Sequence, residues 1–219
     1  MGDTSATERE EQEAEAEGPP VFVFQDGLDD YCGTCDTMMS DENEENTYGL
    51  SSYAECGYWN EETTRTLLRF DLASLPDDAE IVSASLQLVF NNVVAMTSDY
   101  VISVDILEAD RAWAEAEATW LNASESVPWD AAGGDCSGQV GLMSIPNPDY
   151  GSGDAIQTAL DVDVVQQWVS DPAENRGVLL RNASEGATED SDKSFLVFYT
   201  KNHNSEDYRP RLVIEAEVE

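Results

Sequence analysis

The sequence predicts an all-β protein, an antiparallel jelly-roll β-sandwich with one short helix near 160–169. Three observations lead there. Short stretches rich in Val, Ile, Leu and Phe alternate apolar with polar residues, clusters of Gly, Pro, Asp and Asn separate them, and a single stretch spaces its apolar residues for a helix. With 219 residues, 41% of them hydrophobic, the chain can bury one sizeable core, so residues 20–219 read as one sandwich domain. Residues 1–19 read as a disordered acidic tail or linker, because the first 18 hold seven acids and no aromatic and have little to bury.

The elements follow in order. "VFVFQ" (21–25) is a compact β-branched and aromatic run, ended by the turn "DGLDD". "TRTLLRFDL" (64–72) leads through the polar turn "ASLPDDAE" into "IVSASLQLVF" (81–90), which places Ala84, Leu86, Leu88 and Phe90 on one face. "YVISVDILEA" (100–109) alternates too, with Ile102, Val104 and Ile106 as its core face. A Gly- and Pro-rich middle (128–153) matches no regular pattern. Beyond it, Leu160, Val164, Val165 and Trp168 form the one helical face, which Asp171-Pro172 ends. "GVLLRN" (177–182), "SFLVFYT" (194–200) and "RLVIEAEV" (211–218) complete the strands.

"RAWAEAEATW" (111–120) interrupts this pattern. Its Ala/Glu content and its two indoles seven residues apart fit a helix, but the core strand "VISVDIL" runs straight into it. We read Trp113 as ending that strand at the sandwich edge, Glu115 and Glu117 as lying on a bend, and Trp120 as opening the next element. Trp113, Trp120 and Trp168 are then core residues. Arg69 and Asp71, two apart on a strand, share a face and form a structural ion pair or cap a neighbouring loop.

Charge limits the partners. There are 46 acidic against 10 basic residues, a net charge of −36, which repels nucleic acid and anionic membranes and strains the fold at low salt. The acids are spread along the whole chain, as in a surface adapted to brine, where a Debye length of about 3 Å at 1 M salt screens them from one another. A calcium-loaded surface is the alternative. No apolar run is long enough to span a membrane, and the N-terminus shows no basic-then-apolar export signal; an exported protein of this kind would have lost that signal ahead of Met1 and kept the tail as a tether.

Four cysteines, Cys32, Cys35, Cys56 and Cys136, are an even number that favours two disulfides in an exported protein. The pair in "CGTC" also allows a redox motif or half of a zinc site, although no βαβ context or second close pair accompanies it. Asp26, Asp29, Asp30 and Asp36 offer oxygens for calcium around a Gly-bearing loop, at a spacing unlike an EF-hand. "NAS" at Asn122 and Asn182 is an acceptor sequon wherever the host glycosylates. The one histidine, His203, lies in a polar loop with no nucleophile motif to serve, and acid pairs such as Glu115 and Glu117 are too common here to indicate glycoside hydrolysis. We expect no enzyme.

A set of motifs taken in order resembles a known family. "DT" (Asp36, Thr37), "YG" (Tyr48, Gly49), "LLRFDLASLP" (67–76), "AEIVSASLQL" (79–88), "WAEAEATW" (113–120), "LDVDVVQQW" (160–168), "NRGVLLR" (175–181) and "RPRLVI" (209–214) resemble the extracellular DNRLRE domain, a carbohydrate-binding-module family found in archaeal disaggregatase-related repeat proteins. The resemblance covers about residue 21 to the end. It implies a secreted or cell-surface jelly roll without chemistry of its own, binding polysaccharide, uronic-acid polymers included, with calcium in the fold. The cysteines of 32–65, the charge and the segment 128–153 depart from it. Sugar rings would stack on the loop aromatics Tyr53, Tyr58, Trp59, Trp129 and Tyr150, the alternative being that these plug the sandwich ends. Partners are then polysaccharide or, if the chain is a self-assembling subunit of a surface layer, adhesin or filament, neighbouring surface-protein subunits.

Overall fold

The computed structural model describes residues 18–59, 61–76, 78–94, 99–108, 110–146, 151–185 and 195–218; the acidic tail as far as residue 17, and Tyr150, lie outside them. The strands are β1 (Val21–Phe24), β2 (Thr34–Ser40), β3 (Tyr53–Trp59), β4 (Glu62–Phe70), β5 (Glu80–Val94), β6 (Tyr100–Leu107), β7 (Asn122–Ser124), β8 (Val127–Pro128), β9 (Cys136–Ile145), β10 (Ala155–Ala159), β11 (Val178–Asn182), β12 (Phe195–Tyr199) and β13 (Arg211–Glu217), with helix α1 at Val162–Ser170. Every pairing between them is antiparallel. The expected all-β sandwich with one short helix is what forms.

Strand β5 joins the two layers. Its first part pairs with β13 on one side and β10 on the other, while Phe90–Val94 pairs with β12, so one strand passes from the first sheet into the second. The second sheet continues from β12 through β3, β4, β11 and β6 to β9, with β2 on the free side of β4. The far ends then approach each other: Thr158 Oγ1 donates to Leu142 O at 2.6 Å and Asp161 N to Val140 O at 2.8 Å. The period-2 face of β5 (Ala84, Leu86, Leu88, Phe90) is buried, and it meets Ile102, Val104, Leu196, Phe198, Leu212 and Ile214. Asp161 caps α1 by accepting from Asp163 N, and Val165 and Trp168 turn into the same core.

A second core lies on the opposite face of the second sheet. β4 sends Leu68 and Phe70 inward but Leu67 outward, and β11 sends Val178 and Leu180 inward but Leu179 outward. Leu67 and Leu179 meet Met39, Leu107, Trp113, Ala118, Trp120 and Trp129. Residues 110–135 therefore form a lid over this face. β6 stops at Leu107, six residues before Trp113, which corrects the expectation that Trp113 ends the strand; no helix forms either, and Trp113 and Trp120 sit buried beneath the lid.

Gly177 shows how closely the chain entering β11 approaches β4. Its φ is +80°, and a Cβ there would stand 2.3 Å from Leu68 O. Gly177→Ala is therefore expected to cost at least about 1–3 kcal/mol from backbone strain alone, read as a lower denaturation midpoint with an unchanged slope.

Candidate functional site

The lid is held by arginines. Arg65 grips Glu185 at 2.7 Å, donates to Gly133 O at 2.9 Å, and lies 4.9 Å from the centre of the Trp120 ring. Arg111 pairs with Asp135, which also accepts the Asp130 and Ala131 amides at 2.8 and 2.7 Å. Trp113 Nε1 donates to Arg176 O at 2.7 Å, and Trp129 Nε1 to Thr119 O at 2.9 Å. Trp129 is thus a correction: expected to meet ligand, it is only 6% exposed, because its ring completes the second core.

Arg69 and Asp71 do not pair; among the described residues no ion pair joins them. Asp71 Oδ1 accepts the Ala73 amide, capping its own turn, while Arg69 lies 5.3 Å from the centre of the Trp113 ring and donates to Cys35 Sγ.

The acids proposed for calcium are not brought together. Asp29 and Asp30 are exposed, Asp26 Oδ1 accepts the Thr34 amide at 2.9 Å, and Asp36 is buried at 2% exposure. Among the described residues no three or more His, Cys, Asp or Glu side chains converge on a point that could hold a metal, while calcium asks for six to eight oxygens. The four acids do not fit it. Asp36 belongs instead to a junction: Lys201 N donates to its Oδ2 at 2.7 Å, its own amide donates to Glu115 Oε1 at 3.1 Å, and Lys201 Nζ donates to Glu115 Oε2 at 2.8 Å. Its Oδ1 has no partner. Burial, only partly offset by the Lys201 amide, pushes its carboxyl up to about 7.

All four cysteines are free thiols, contrary to the expected disulfides. Cys35 pairs in register with Arg69 and Cys136 with Leu107, and four strand spacings from β2 to β9 separate them, roughly 19 Å where a disulfide needs Cα atoms within about 7 Å. Cys56 faces the other way, fully buried in the main core, and that burial raises its thiol pKa. Burial also pushes the Cys136 thiol up to about 12. Of the sequons, Asn182 is buried and its Oδ1 accepts the Ser184 amide, while Asn122 is half-buried on β7.

The exposed aromatics gather on the outer face of the β3–β12 pair. Ala54 and Cys56 point into the core, so Tyr53, Glu55 and Trp59 point out, and Leu196 and Phe198 do the same for Phe195 and Tyr199. Tyr53 stands directly opposite Tyr199. Tyr199 stacks on Tyr208 at 5.0 Å and meets His203 at 4.3 Å, and at the other end Trp59 meets Phe195 at 6.4 Å. Tyr53 is 45% exposed, Trp59 43% and Tyr208 36%. Six residues of strand separate Tyr53 from Trp59, about 20 Å of sheet. Between them the Glu55 carboxyl is raised, first by burial and then by Glu62. Tyr58, on the alternate face of β3, is half-buried and stands apart from the strip.

The loop after β12 is held in place. Gln25 Nε2 donates to Glu206 O and Arg209 O, Arg209 Nε donates to His203 O, Thr200 Oγ1 donates to Ser51 O, and Asn202 Nδ2 donates to Gly49 O. Tyr208 and His203 thus stand against Tyr199 as a preformed surface. Sequence reasoning found Tyr53 and Trp59 but missed Phe195, Tyr199, His203 and Tyr208. "FLVFY" is apolar throughout, so the sequence does not separate the outward Phe195 and Tyr199 from the buried Leu196 and Phe198.

Among the described residues no helix is long and apolar enough to cross a membrane. No curated protein matches the chain. The profile of the family described as the disaggregatase related repeat domain matches residues 36–214, from Asp36 in β2 to Ile214 in β13, which takes in most of both cores, the lid and the aromatic strip. The chain belongs to the disaggregatase-related repeat domain family.

Proposed function

We propose that the chain is a non-catalytic, extracellular or cell-surface module that binds polysaccharide in a salt-adapted organism, as its resemblance to the carbohydrate-binding DNRLRE domain implies. The observation that carries this reading is the outward aromatic strip of Trp59, Phe195, Tyr53, Tyr199 and Tyr208. Isolated exposed aromatics are ordinary, but a row of rings along about 20 Å of sheet leaves apolar area in water that a ligand of the same length would cover. Sugar rings fit such a surface: their apolar faces lie on the aromatics, while Glu55, His203 and the tyrosine hydroxyls meet their hydroxyl groups. The net charge of −36 favours neutral chains at low salt and admits acidic ones once salt screens the surface.

The test is depletion of the protein from solution by a panel of insoluble and soluble polysaccharides in about 1 M salt, with reducing ends measured in the same tubes. Saturable retention without new reducing ends is the expected result. New reducing ends would instead make the chain a hydrolase, and no retention on any polymer would remove the reading.

One observation favours the alternative, a self-assembling surface subunit. β1 is an end strand of the first sheet, with Val21 56% exposed, and an open edge accepts another strand. Sedimentation over a wide concentration range separates the two readings, since assembly raises the mass and sugar binding alone does not.

A further inference from the structure

The outward side of the first sheet carries almost no charge. Phe24, Leu86, Leu88, Ile156, Leu212 and Ile214 face the core, so the residues that alternate with them face out. Cross-strand pairing sets these in rows, with Val23, Val213, Ser85 and Ala159 in the middle one. Val21, Glu215 and Ser83 form the row on one side, and Arg211, Gln87 and Gln157 the row on the other. Glu215 is the only acid in the three rows and Arg211 the only base, so this face is neutral in a chain with 46 acids and a net charge of −36. Three of the nine large hydrophobic residues exposed among the described residues, Val21, Val82 and Val218, lie at its Glu215 end.

Such a face can be covered at little cost. Its polar groups are paired close at hand: Gln157 Nε2 donates to Ser85 Oγ at 2.7 Å, Ser83 Oγ to Glu215 Oε2 at 3.0 Å and Arg211 Nη2 to Gln25 Oε1 at 2.9 Å. Excluding water from them therefore orphans few donors or acceptors, whereas a face studded with carboxylates would bury charge. Among the described residues neither Arg211 nor Glu215 joins an ion pair. They flank Val213 on one strand, four residues and about 13 Å apart. A two-fold axis running between two such faces along the middle row sets Arg211 of each copy over Glu215 of the other, and Val213 over its own equivalent. The face is thus complementary to itself.

We infer that the outer face of β1, β13, β5 and β10 packs against the same face of a second copy of this chain, in a weak two-fold pair that forms in brine. The inference deepens the self-assembly reading above and assigns it a surface distinct from the β1 edge. A net charge of −36 drives copies apart at low salt. At about 1 M salt, where the Debye length is about 3 Å, that repulsion is screened and the neutral face is where two copies can meet without opposing their carboxylates. Four strands by about six residues cover roughly 20 Å by 20 Å, about half of the roughly 800 Å² that each partner of a stable complex buries. Free copies therefore pair only transiently, while for copies of a repeat domain held side by side that area suffices.

The experiment is sedimentation of the whole chain from about 0.02 to about 2 mM, in about 0.1 M and about 2 M salt. In the higher salt the average mass should climb to roughly one and a half times that of the monomer or more, as for a dissociation constant on the order of 1 mM or below. In the lower salt it should stay that of the monomer. Ser85→Glu, which sets two carboxylates against each other at the axis, should remove the rise. Should that variant fail to fold, Ala159→Glu, exposed in the same row, is expected to do the same. Glu215→Arg should weaken the pair severalfold, and Arg211→Glu added to it should restore the pair; no restoration overturns the two-fold arrangement. A rise that both glutamate variants keep overturns this inference alone and leaves assembly to the β1 edge. A monomer throughout overturns this inference and the self-assembly reading together, and loss of polysaccharide retention by Ser85→Glu would in that case make the face a sugar surface.

Discussion

Trp120→Ala is expected to lower the unfolding free energy by about 3–5 kcal/mol, the range for deleting a large aromatic from a core that cannot collapse around the gap. The gap here has rigid walls. Trp120 sits at 8% exposure with the Arg65 guanidinium over its face, its carbonyl accepts Gly133 N at 2.6 Å, and Gly133 itself approaches the ring so closely that a Cβ would lie 2.8 Å away. Losing the indole removes the ceiling over Leu67 and Leu179 and one support of Arg65, whose partner Glu185 would stay half-buried beside a less ordered cation. Denaturant unfolding in high salt reads the effect. A loss under about 1 kcal/mol, the ordinary scale of a surface substitution, would mean that the lid is a loop and not a second core.

The second large effect depends on pH. The Asp36 carboxyl is raised to about 7 in the folded protein, chiefly by burial, against an ordinary value near 3.9 when unfolded. The folded state then holds a proton that the unfolded state has lost, so this group's contribution is fully present below about pH 4 and is lost as pH rises to about 7. The full shift corresponds to about 4 kcal/mol at most, at about 1.4 kcal/mol per pH unit. Asp36→Asn keeps an oxygen for the Lys201 amide and places an amide where Oδ1 lacks a partner. It should therefore stabilise the fold at pH 8 by on the order of 1–3 kcal/mol and flatten the stability curve between pH 4 and 7. Measurement in high salt is required, because the other acids give a slope of the same sign at low salt. A wild-type curve that rises with pH across this window, or an Asn variant less stable at pH 8, would contradict the assignment.

Strands were legible where apolar residues recur, β5, β6 and β13 falling where their alternation places them and β12 where its continuous apolar run does. β2 was not legible. "TCDTMMS" buries Thr34, Asp36, Thr37 and Ser40 among hydrogen-bonding partners, so its polar residues imitate a loop. β9 was hidden by its glycines, and β10 by the polar Gln157 and Thr158 that fill its centre. The second core had a trace in the doublets Leu67-Leu68 and Leu179-Leu180, since a continuous apolar run marks a strand covered on both faces. The missing half was the lid, whose indoles read as strand ends. Tyr53 and Trp59 stood out as aromatics in a polar setting, whereas Phe195 and Tyr199 sit in a run read only as a strand and Tyr208 in a polar loop. Arg69, Arg176 and Lys201 line one cleft although they lie far apart in sequence, and only the fold assembles them.

The most direct test of the central claim, that the outer face of β3 and β12 is a sugar-binding surface, is retention of Tyr53→Ala and Trp59→Ala, singly and together, on the polysaccharide that holds the wild type. Each ring makes a cross-strand aromatic contact and is more than half buried, so each substitution should cost on the order of 1 kcal/mol of stability and leave the fold intact. Each should weaken binding roughly fivefold to tenfold, and the pair should abolish retention, as expected for rings that each cover part of one ligand. Wild-type retention by the folded double variant would contradict the claim.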